Sequence, residues 1–288
     1  MANEATLSPL PIAHLGPEGT FSEEAVLKLF PSEEPRLPCA TFDAVLESVE
    51  TGRAQGGVIA IENNTNGTVT HAMDLLLNTS LIIVAEVTVP IIHNLMGKVR
   101  SLEEIQVIYA HPQALAQCEH WLHGHVPQAQ QIPVASNAEG ARRAASESGV
   151  AGIAAARAAD IYGVNILAPA IQDGLSNQTR FFLMSAHADT FPQAKVTKWK
   201  TSIVFSVPNR PGALYDVISY FAEYGVQMVR IESRPARNGT WDYNFYIDVE
   251  GKLEDKAVQG ALQKVAKTVD FYRCFGSYPV LDLSLIHI

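Results

Sequence analysis

The 288-residue sequence has few cysteines, no long apolar run and fewer basic than acidic side chains. Each of these features argues against a particular class of protein. Its three cysteines, Cys39, Cys118 and Cys274, have no metal-ligand spacing, and their odd number argues against a disulfide framework. No apolar run reaches the ~20 residues that cross a bilayer, and residues 1–11 lack a signal-peptide pattern. The formal net charge of -9 disfavours nucleic acid and anionic membranes as partners. We therefore expect a cytoplasmic protein that binds neither nucleic acid nor membrane.

Motifs for cofactors are also missing. The sequence has no Gly-x-Gly-x-x-Gly segment and no Walker-type loop, so a nucleotide cofactor is not predicted. His120, His123 and His125 lie close together, but they crowd the end of one predicted helix beside Gly124, and we predict no metal site there. The sequence thus predicts chemistry that needs neither metal nor cofactor.

The first 185 or so residues alternate short apolar runs with amphipathic helical patterns. Patterns typical of buried strands occupy 12–15, 57–61, 107–110 and 150–154. Two capping boxes, Thr20–Glu23 and Ser136–Glu139, mark the starts of predicted helices, and HPQALAQCEHWL (111–122) is predicted to form one helix. This order predicts an α/β architecture with largely parallel sheets. Two such sheets facing a cleft fit the length, because ligands collect at the carboxyl ends of parallel strands.

The pattern changes after a polar segment at 189–200. From 201 to 280 the order of predicted elements is strand, helix, strand, strand, helix and strand, which is the ferredoxin-like βαββαβ arrangement. We therefore predict a two-lobed α/β unit at 10–188, a linker at 189–200 and an α+β domain at 201–280. The apolar tail after Val280 fits no predicted element.

Polar residues gather in five segments just past predicted strand ends. The segments are GPEGTFS (16–22), IENNTNG (61–67), HPQALAQC (111–118), SNAEG (136–140) and NQTRF (177–181). Taken alone, each has an ordinary explanation as a helix cap or a turn. Taken together, they are expected to converge on one cleft, because they follow successive strands at the same end.

These segments together resemble the prephenate dehydratase family over about residues 10–280. The matching stretches are LGPEGTFSEEA, IENNTNGTVTHAMDLL, YAHPQALAQC, SNAEGA, IQDGLSNQTRF, NRPGALY and IESRP. The resemblance implies a two-lobed catalytic unit like a periplasmic binding protein, followed by an ACT domain, a ferredoxin-like regulatory module that binds phenylalanine. The chorismate mutase domain that precedes the catalytic unit in some relatives is not expected, since the match begins near residue 10. Asn64 and Asn137 depart from the family pattern, which has Ser or Thr and commonly Thr there, and altered kinetics are expected from them.

The resemblance implies a lyase that converts prephenate to phenylpyruvate, water and carbon dioxide, under feedback control by phenylalanine. It assigns catalytic roles to Thr179, Asn63 and Gln117, with Thr179 donating a hydrogen bond to the leaving hydroxyl group. The implied substrate-binding residues are Thr20, Ser22, Glu62, Asn64, His111, Ser136, Arg180 and Phe181. The backbone around Gly19 is expected to add N–H donors. Arg180 is a candidate partner for a substrate carboxylate, although it could pair with Glu62 instead, and Phe181 is expected to pack.

The resemblance also places a phenylalanine site between paired ACT domains, and so implies a homodimer or homotetramer. The implied effector residues are Asn209, Pro211, Gly212, Ala213, Leu214, Glu232, Ser233, Arg234 and Pro235. Without the resemblance, these positions would be interpreted as loop and cap residues.

Two other functions stay open from the sequence. One is a dehydratase that prefers arogenate, whose ammonium group would need an extra acceptor in the cleft. The other is a non-catalytic sensor of an amino acid or organic acid. The complete Asn-x-Thr-Arg-Phe motif at 177–181 favours an enzyme.

Overall fold

The computed structural model describes residues 10–30, 35–174, 176–188, 196–236 and 242–281, apart from the side chain of Thr197. The strands in these ranges are β1 (Ile12–Leu15), β2 (Arg36–Cys39), β3 (Gly56–Asn63), β4 (Gly67–Thr68), β5 (Ile82–Pro90), β6 (Asn94–Gly97), β7 (Val107–Ala110), β8 (Gln130–Pro133), β9 (Val150–Ala154), β10 (Asn165–Ala168), β11 (Gln178–Ser185), β12 (Val196–Ser206), β13 (Met228–Pro235), β14 (Tyr243–Glu250) and β15 (Phe271–Leu281). The helices are α1 (Phe21–Leu29), α2 (Phe42–Glu50), α3 (Thr70–Leu76), α4 (Pro112–Gln117), α5 (Glu119–His125), α6 (Asn137–Ser146), α7 (Ala156–Tyr162), α8 (Ala213–Glu223) and α9 (Lys256–Thr268).

The chain divides into two compact units. Unit 1 comprises the described parts of residues 1–79 and 88–181, and unit 2 comprises those of 80–87 and 182–288. The division differs from the predicted domain boundaries, because 80–87 and 182–188 group with unit 2. No helix in the described part of the chain combines the length and hydropathy needed to cross a membrane.

Unit 1 contains two sheets with helices packed on them, as the predicted two-lobed α/β architecture requires. In the first, β1 pairs in parallel with β2 and β3, and β11 lies beside β3. The second has the order β10-β6-β9-β7-β8. Here β7 is parallel to β8 and β9, whereas β6 is antiparallel to both β9 and β10. The prediction of largely parallel sheets therefore holds only in part.

Both predicted capping boxes begin helices, but their carboxylates do not bond back to the cap residue. Thr20 Oγ1 accepts a hydrogen bond from Glu23 N (3.3 Å), and Ser136 Oγ accepts one from Glu139 N (3.1 Å). The Glu23 carboxylate instead accepts from Gly19 N (2.6 Å), and Glu139 pairs with two arginines of its own helix. The hydroxyl half of the box is enough to set where each helix starts.

The predicted single helix over 111–122 is two helices, α4 and α5, and this prediction is wrong. The break falls at Cys118, whose φ of -116° and ψ of 11° lie outside the helical range. The Asp173 carboxylate accepts hydrogen bonds from the amides of His120 (2.9 Å) and Trp121 (3.0 Å) in the first turn of α5. A side chain distant in sequence thus satisfies the amides that the break leaves free.

Unit 2 has the predicted βαββαβ order, from β12 through α8, β13, β14 and α9 to β15. β14 pairs antiparallel with β12 and β13, and β12 pairs antiparallel with β15, so that β13 is an edge strand. The buried core of this unit is formed by Ile203, Phe205, Val217, Phe221, Val226, Ile247, Val249, Val258, Ala261, Leu262 and Val265. The sequence therefore predicts the order of elements correctly.

The predicted linker at 189–200 is partly wrong, because β12 begins at Val196 and residues 196–200 belong to a strand. The remaining linker residues, 189–195, lie outside the described residues. β15 extends one residue beyond the predicted end, to Leu281, and the rest of the tail also lies outside the described residues.

Candidate active site

Unit 1 contains a cavity of about 950 Å³ at the ends of its strands. Residues that closely follow strands β1, β2, β7, β8 and β9 form part of its wall, and these are Gly16, Ala40, His111, Ala135 and Ala155. The aromatic rings of Phe21, Phe42 and Phe181 and the side chain of Ile91 add apolar surface. The predicted polar segments thus do converge, although the segment at 177–181 lies at the start of β11 and does not follow a strand.

Most of the predicted site residues line this cavity. Those in the lining are Thr20, Ser22, Asn63, His111, Gln117, Ser136, Thr179 and Phe181. Asn137, one of the two departures from the family pattern, also lies in the wall, and its Oδ1 accepts a hydrogen bond from His111 N (3.0 Å).

Three predicted substrate-binding residues, Glu62, Asn64 and Arg180, are not among the lining residues. Side chains alternate between the two faces of a strand, so that Glu62 and Arg180 point away from the face used by Asn63 and Thr179. Arg180 Nη1 lies 2.7 Å from Glu62 Oε2, which is the ion pair that the sequence left open as its other partner.

Asn64 supports the segment that precedes Thr179. Its Oδ1 accepts a hydrogen bond from Gln178 N (2.8 Å), and its backbone N donates to Gln178 O (3.0 Å). Its Nδ2 also lies 3.4 Å from Ser176 O. An asparagine at this position therefore joins the end of β3 to the start of β11.

Thr179 lies on the cavity wall with 8% of its surface exposed. Its Oγ1 accepts a hydrogen bond from Asn63 Nδ2 at 2.9 Å. Because an amide NH₂ group only donates, the hydroxyl hydrogen of Thr179 is not used in this bond. The arrangement can therefore present an O–H donor to a ligand in the cavity.

The charges around the cavity are few. Among the described residues, its lining includes no Lys or Arg, and Glu18 supplies its only carboxylate. The N-terminal ends of α1, α2 and α6 reach the wall through Phe21, Phe42 and Asn137. Helix N-termini carry partial positive charge, so the wall can attract anions without a cationic side chain.

The predicted donor at Gly19 is already engaged. Its N–H donates to the Glu23 carboxylate, which lies 3.2 Å from Arg36 Nε and 3.7 Å from Arg157 Nη2. The same carboxylate is 2% exposed. The expectation that this amide binds substrate is therefore not supported, because a side chain of the protein occupies it.

Comparison with known proteins gives the deciding observation. Residues 12–189 match the family model described as "Prephenate dehydratase", and residues 201–267 match the one described as "ACT domain". The chain belongs to the prephenate dehydratase family. The bifunctional chorismate mutase/prephenate dehydratase of Neisseria gonorrhoeae is 41% identical over 278 residues, which are 96% of this chain and 76% of that protein.

Solved structures confirm the fold. Prephenate dehydratase from Arthrobacter aurescens in complex with L-Phe superposes with a TM-score of 0.85 at 33% identity, covering 94% of this chain and 90% of that chain. GqqA, described as a novel type of quorum quenching acylase, superposes with a TM-score of 0.83 at 30% identity over 94% of this chain and 98% of that one. Because neighbours of one fold carry different activities, the reaction must be argued from site residues.

His93 and Tyr162 also line the cavity, although no site role is predicted for either residue from the sequence. His93 stands alone at the end of an apolar run, and no local pattern marks it. Tyr162 Oη donates to Glu18 O (2.8 Å) and joins α7 to the segment after β1. Burial lowers the pKa of both His93 and His111, which favours their neutral forms.

The predicted effector segments lie at one end of the unit 2 sheet. Ser206 at the end of β12 pairs with Asn244, which pairs with Arg234 at the end of β13. The loop at 209–212 and the strand end at 232–235 therefore lie at the same end of the unit 2 sheet.

Gly212 in that loop has a φ of 82°, and a Cβ added there meets no atom of the described chain within 4 Å. Its backbone conformation, rather than close packing within the chain, is what favours glycine.

Proposed function

We propose that this chain catalyses the decarboxylating dehydration of prephenate to phenylpyruvate, the reaction that its family membership indicates. The observation that carries the proposal is the Thr179 hydroxyl, which lies on the cavity wall and receives a hydrogen bond from Asn63 while keeping its own hydrogen. A neutral O–H donor held in this way suits a reaction in which a hydroxyl group must leave.

The reaction balances without an oxidant or reductant. The bond between the ring and its carboxylate breaks, carbon dioxide leaves, and that electron pair enters the ring. The ring C–O bond breaks at the para position, and the departing oxygen takes up one proton and leaves as water. Aromatisation drives the change, so a redox or electron-sink cofactor is not required. Thr179 stabilises the negative charge that develops on the leaving oxygen through a hydrogen bond.

The cavity wall provides for a small dianion in two ways. Partial positive charge at the ends of α1, α2 and α6 favours the two carboxylates, and the Ser22, His111 and Ser136 side chains add polar groups. The rings of Phe21 and Phe42 offer apolar surface to the six-membered ring. Binding by dipoles in place of cations also leaves the ring carboxylate without a fixed counter-ion, which favours its loss as neutral carbon dioxide.

Arogenate dehydration is the second candidate, and Glu18 is the observation that favours it. Its carboxylate is the only one among the described lining residues, and it is exposed on the wall next to the N-terminal end of α1. Arogenate carries an ammonium group where prephenate has a keto group, and a carboxylate in the cavity would attract that cation. A matched pair of substrates therefore tests the role of Glu18.

We further propose that L-phenylalanine is an allosteric effector bound by the 209–214 and 232–235 segments of paired ACT domains. The edge strand β13 supports a homodimer or homotetramer, since Val229 and Ile231 expose 42% and 46% of their surfaces beside the second segment. The domain assignment that we favour is a catalytic unit at 10–188 and an ACT domain at 201–280. Three free cysteines, of which Cys118 is buried, fit a cytoplasmic location.

The deciding experiment is turnover of prephenate and arogenate side by side by the purified full chain, with and without exhaustive chelation. We expect phenylpyruvate from prephenate, unchanged by chelation. In Glu18→Gln, we expect arogenate turnover to fall more than prephenate turnover. Loss of activity on chelation with recovery on adding a metal would contradict the cofactor-free reaction. Tight binding of prephenate without any turnover would favour a non-catalytic sensor.

A further inference from the structure

A chain of polar side chains runs from Thr179 to His93 beside the cavity, and every member except Asn177 lines the cavity wall. From Thr179 onward, the links are Thr179 Oγ1 to Asn63 Nδ2 (2.9 Å), Asn63 Nδ2 to Asn177 Oδ1 (2.7 Å), Asn177 Nδ2 to Gln117 Oε1 (3.0 Å) and Gln117 Oε1 to His93 Nε2 (2.8 Å). Asn63, Asn177 and His93 are buried, with 6%, 9% and 2% of their surfaces exposed.

The direction of every bond in this chain is fixed from one end by backbone amides. The amides of Thr65 and Asn66 donate to Asn63 Oδ1 at 3.1 and 3.0 Å, so that this atom must be the oxygen. Asn63 Nδ2 is then the donor, and its partner atom on Asn177 must be the oxygen. It follows that Asn177 Nδ2 donates to Gln117.

The orientation of Gln117 is fixed in the same way. Its Oε1 accepts from Asn177, and its Nε2 donates to Thr65 Oγ1 (3.0 Å) and Asn66 Oδ1 (2.6 Å). Because Gln117 Oε1 can only accept, the hydrogen of the last link belongs to His93 Nε2. The backbone amides of the β3–β4 turn therefore specify the tautomer of a histidine through three side-chain amides.

The surroundings of His93 agree with a neutral ring protonated at Nε2. Its Nδ1 is buried and has no hydrogen-bond partner within the described chain, so a proton on that atom would remain unsatisfied. The ring packs edge-on against Phe21, with centroids 5.7 Å apart and planes at 76°. Burial lowers the pKa of His93, while its bond to Gln117 opposes that shift.

We propose that His93 is a positioning residue for Thr179. Its neutral Nε2–H form anchors Gln117, which holds Asn177, which in turn directs Asn63 Nδ2 at Thr179 Oγ1. With that oxygen already accepting, the Thr179 hydrogen is directed to the ligand. His93 also lines the cavity, but the role that we propose for it acts through the amides and not by contact with the reacting atoms. The inference rests on the proposed dehydratase function.

The test compares His93→Gln with His93→Leu in the full chain. Glutamine can place an Nε2–H near the position of the histidine Nε2, whereas leucine fills the space but cannot donate. We expect His93→Leu to lower kcat for prephenate by about 10- to 100-fold with KM changed by less than about threefold, since misplacing a catalytic group acts mainly on the chemical step. His93→Gln should recover most of the lost kcat.

His14 provides the matched control. It is also fully buried, burial also lowers its pKa, and its Nε2 also lacks a partner in the described chain, but it is not in the polar chain or the cavity lining. His14→Gln and His14→Leu should therefore show equal kcat values whatever their thermal stability. The same Gln-over-Leu recovery at both histidines would overturn the proposal, because it would reflect packing alone.

A nitrogen-15 NMR spectrum of the imidazole groups gives a reading that does not depend on turnover. We expect His93 to carry its hydrogen on Nε2 at neutral pH. A hydrogen on Nδ1, or equal kcat values for His93→Gln and His93→Leu, would overturn the positioning role. Absence of prephenate turnover by the unmodified protein would overturn the proposed function instead. The NMR spectrum would then still show whether His93 donates its hydrogen bond to Gln117.

Discussion

At the scale of single residues, the proposed chemistry depends on the hydroxyl group of Thr179. We expect Thr179→Ala to lower kcat by about 10² to 10³, because one hydrogen bond made mainly in the transition state contributes roughly 3 to 4 kcal/mol. Thr179→Ser keeps the hydroxyl and should recover a substantial part of the rate. Steady-state kinetics with prephenate measure both.

Thr51→Ala is the matched control for this prediction. Thr51 also lies in unit 1, but its Oγ1 donates to Glu47 O at the exposed end of α2, away from the cavity lining. Its loss should leave kcat unchanged. A Thr179→Ala enzyme with the turnover of the Thr51→Ala enzyme would show that Thr179 only ends a strand.

Glu24 predicts a pH dependence of stability. Burial raises its pKa to about 7 from an ordinary value of 4.5, against the opposing effects of Lys28 and Arg157. The folded state then binds more protons than the unfolded state between these values, so the contribution of Glu24 to stability is fully present below pH 4.5 and is lost as the pH rises through 7. Glu24→Gln removes this loss, and we expect its melting temperature to exceed that of the unmodified chain by more at about pH 8 than at about pH 5. An equal difference at both pH values would contradict the raised pKa.

Residue patterns predicted most of the site, and side-chain alternation explains two of the predicted residues that lie outside it. Asn63 and Thr179 are in the wall, and a period of two along each strand is enough to place their neighbours Glu62 and Arg180 on the opposite face. His93 could not have been found in this way. Its partner Gln117 follows it by 24 residues, and only the fold brings the two side chains to 2.8 Å.

At the scale of elements, cap residues were readable from the sequence but helix breaks were not. Thr20 and Ser136 begin helices as predicted, because a cap acts on amides two or three residues away. The break at Cys118 has no such local signal, since Asp173 satisfies the freed amides from a distant segment. A pattern of neighbouring residues does not indicate hydrogen bonds between segments that are distant in sequence.

The same contact gives a prediction for α5. We expect Asp173→Ala to destabilise unit 1 by about 1 kcal/mol, the usual effect of losing a carboxylate cap on helix amides. Thermal unfolding of the full chain measures it. Asp173→Asn is the control, because its side-chain oxygen can still accept from the amides of His120 and Trp121. Equal losses for the two variants would mean that charge, and not the hydrogen bonds, accounts for the effect.

At the scale of the whole molecule, the order of elements was predictable but the grouping of strands into units was not. Residues 80–87, which include most of β5, group with unit 2 because Glu86 and Val87 pair with Val280 and Leu281 of β15. The Glu86 carboxylate, 2% exposed, also lies 2.7 Å from Lys200 Nζ. Because β5 and β15 are far apart in sequence, no pattern of neighbouring residues indicates that they pair.

This grouping affects how phenylalanine control can be tested. A chain cut near Ala194 should stay catalytic and lose its response to phenylalanine, but it would also lose both β15 and Lys200. A buried carboxylate that loses its partner is strongly destabilising. Gly212→Val is also a poor test of phenylalanine control, because the φ of 82° at this position makes any side chain there strained and the variant would be destabilised. Substitutions of polar side chains in the full chain are therefore the sharper test.

We expect Glu232→Ala to raise the phenylalanine concentration for half-inhibition by about tenfold or more, with kcat for prephenate unchanged in the absence of phenylalanine. Glu232 lies in β13, at the end of the sheet that also holds the 209–212 loop, and its carboxylate can bind the effector ammonium group. Glu223→Ala is the control, since that carboxylate pairs with Lys264 on the exposed surfaces of α8 and α9 in the same unit. It should leave inhibition unchanged.

The coupling between phenylalanine binding and prephenate binding must be reciprocal, and this gives a quantitative test of the two-site model. If phenylalanine acts from a separate site with a coupling of about 1 to 3 kcal/mol, bound prephenate must weaken phenylalanine binding by the same factor by which phenylalanine weakens prephenate binding. Calorimetric titration of phenylalanine into Thr179→Ala, with and without prephenate, measures this factor with little turnover. Finite coupling that saturates with prephenate indicates two sites. If phenylalanine and prephenate instead exclude each other completely, and phenylalanine inhibits Glu232→Ala as strongly as the unmodified chain, then phenylalanine binds in the catalytic cavity and the two-site model is wrong.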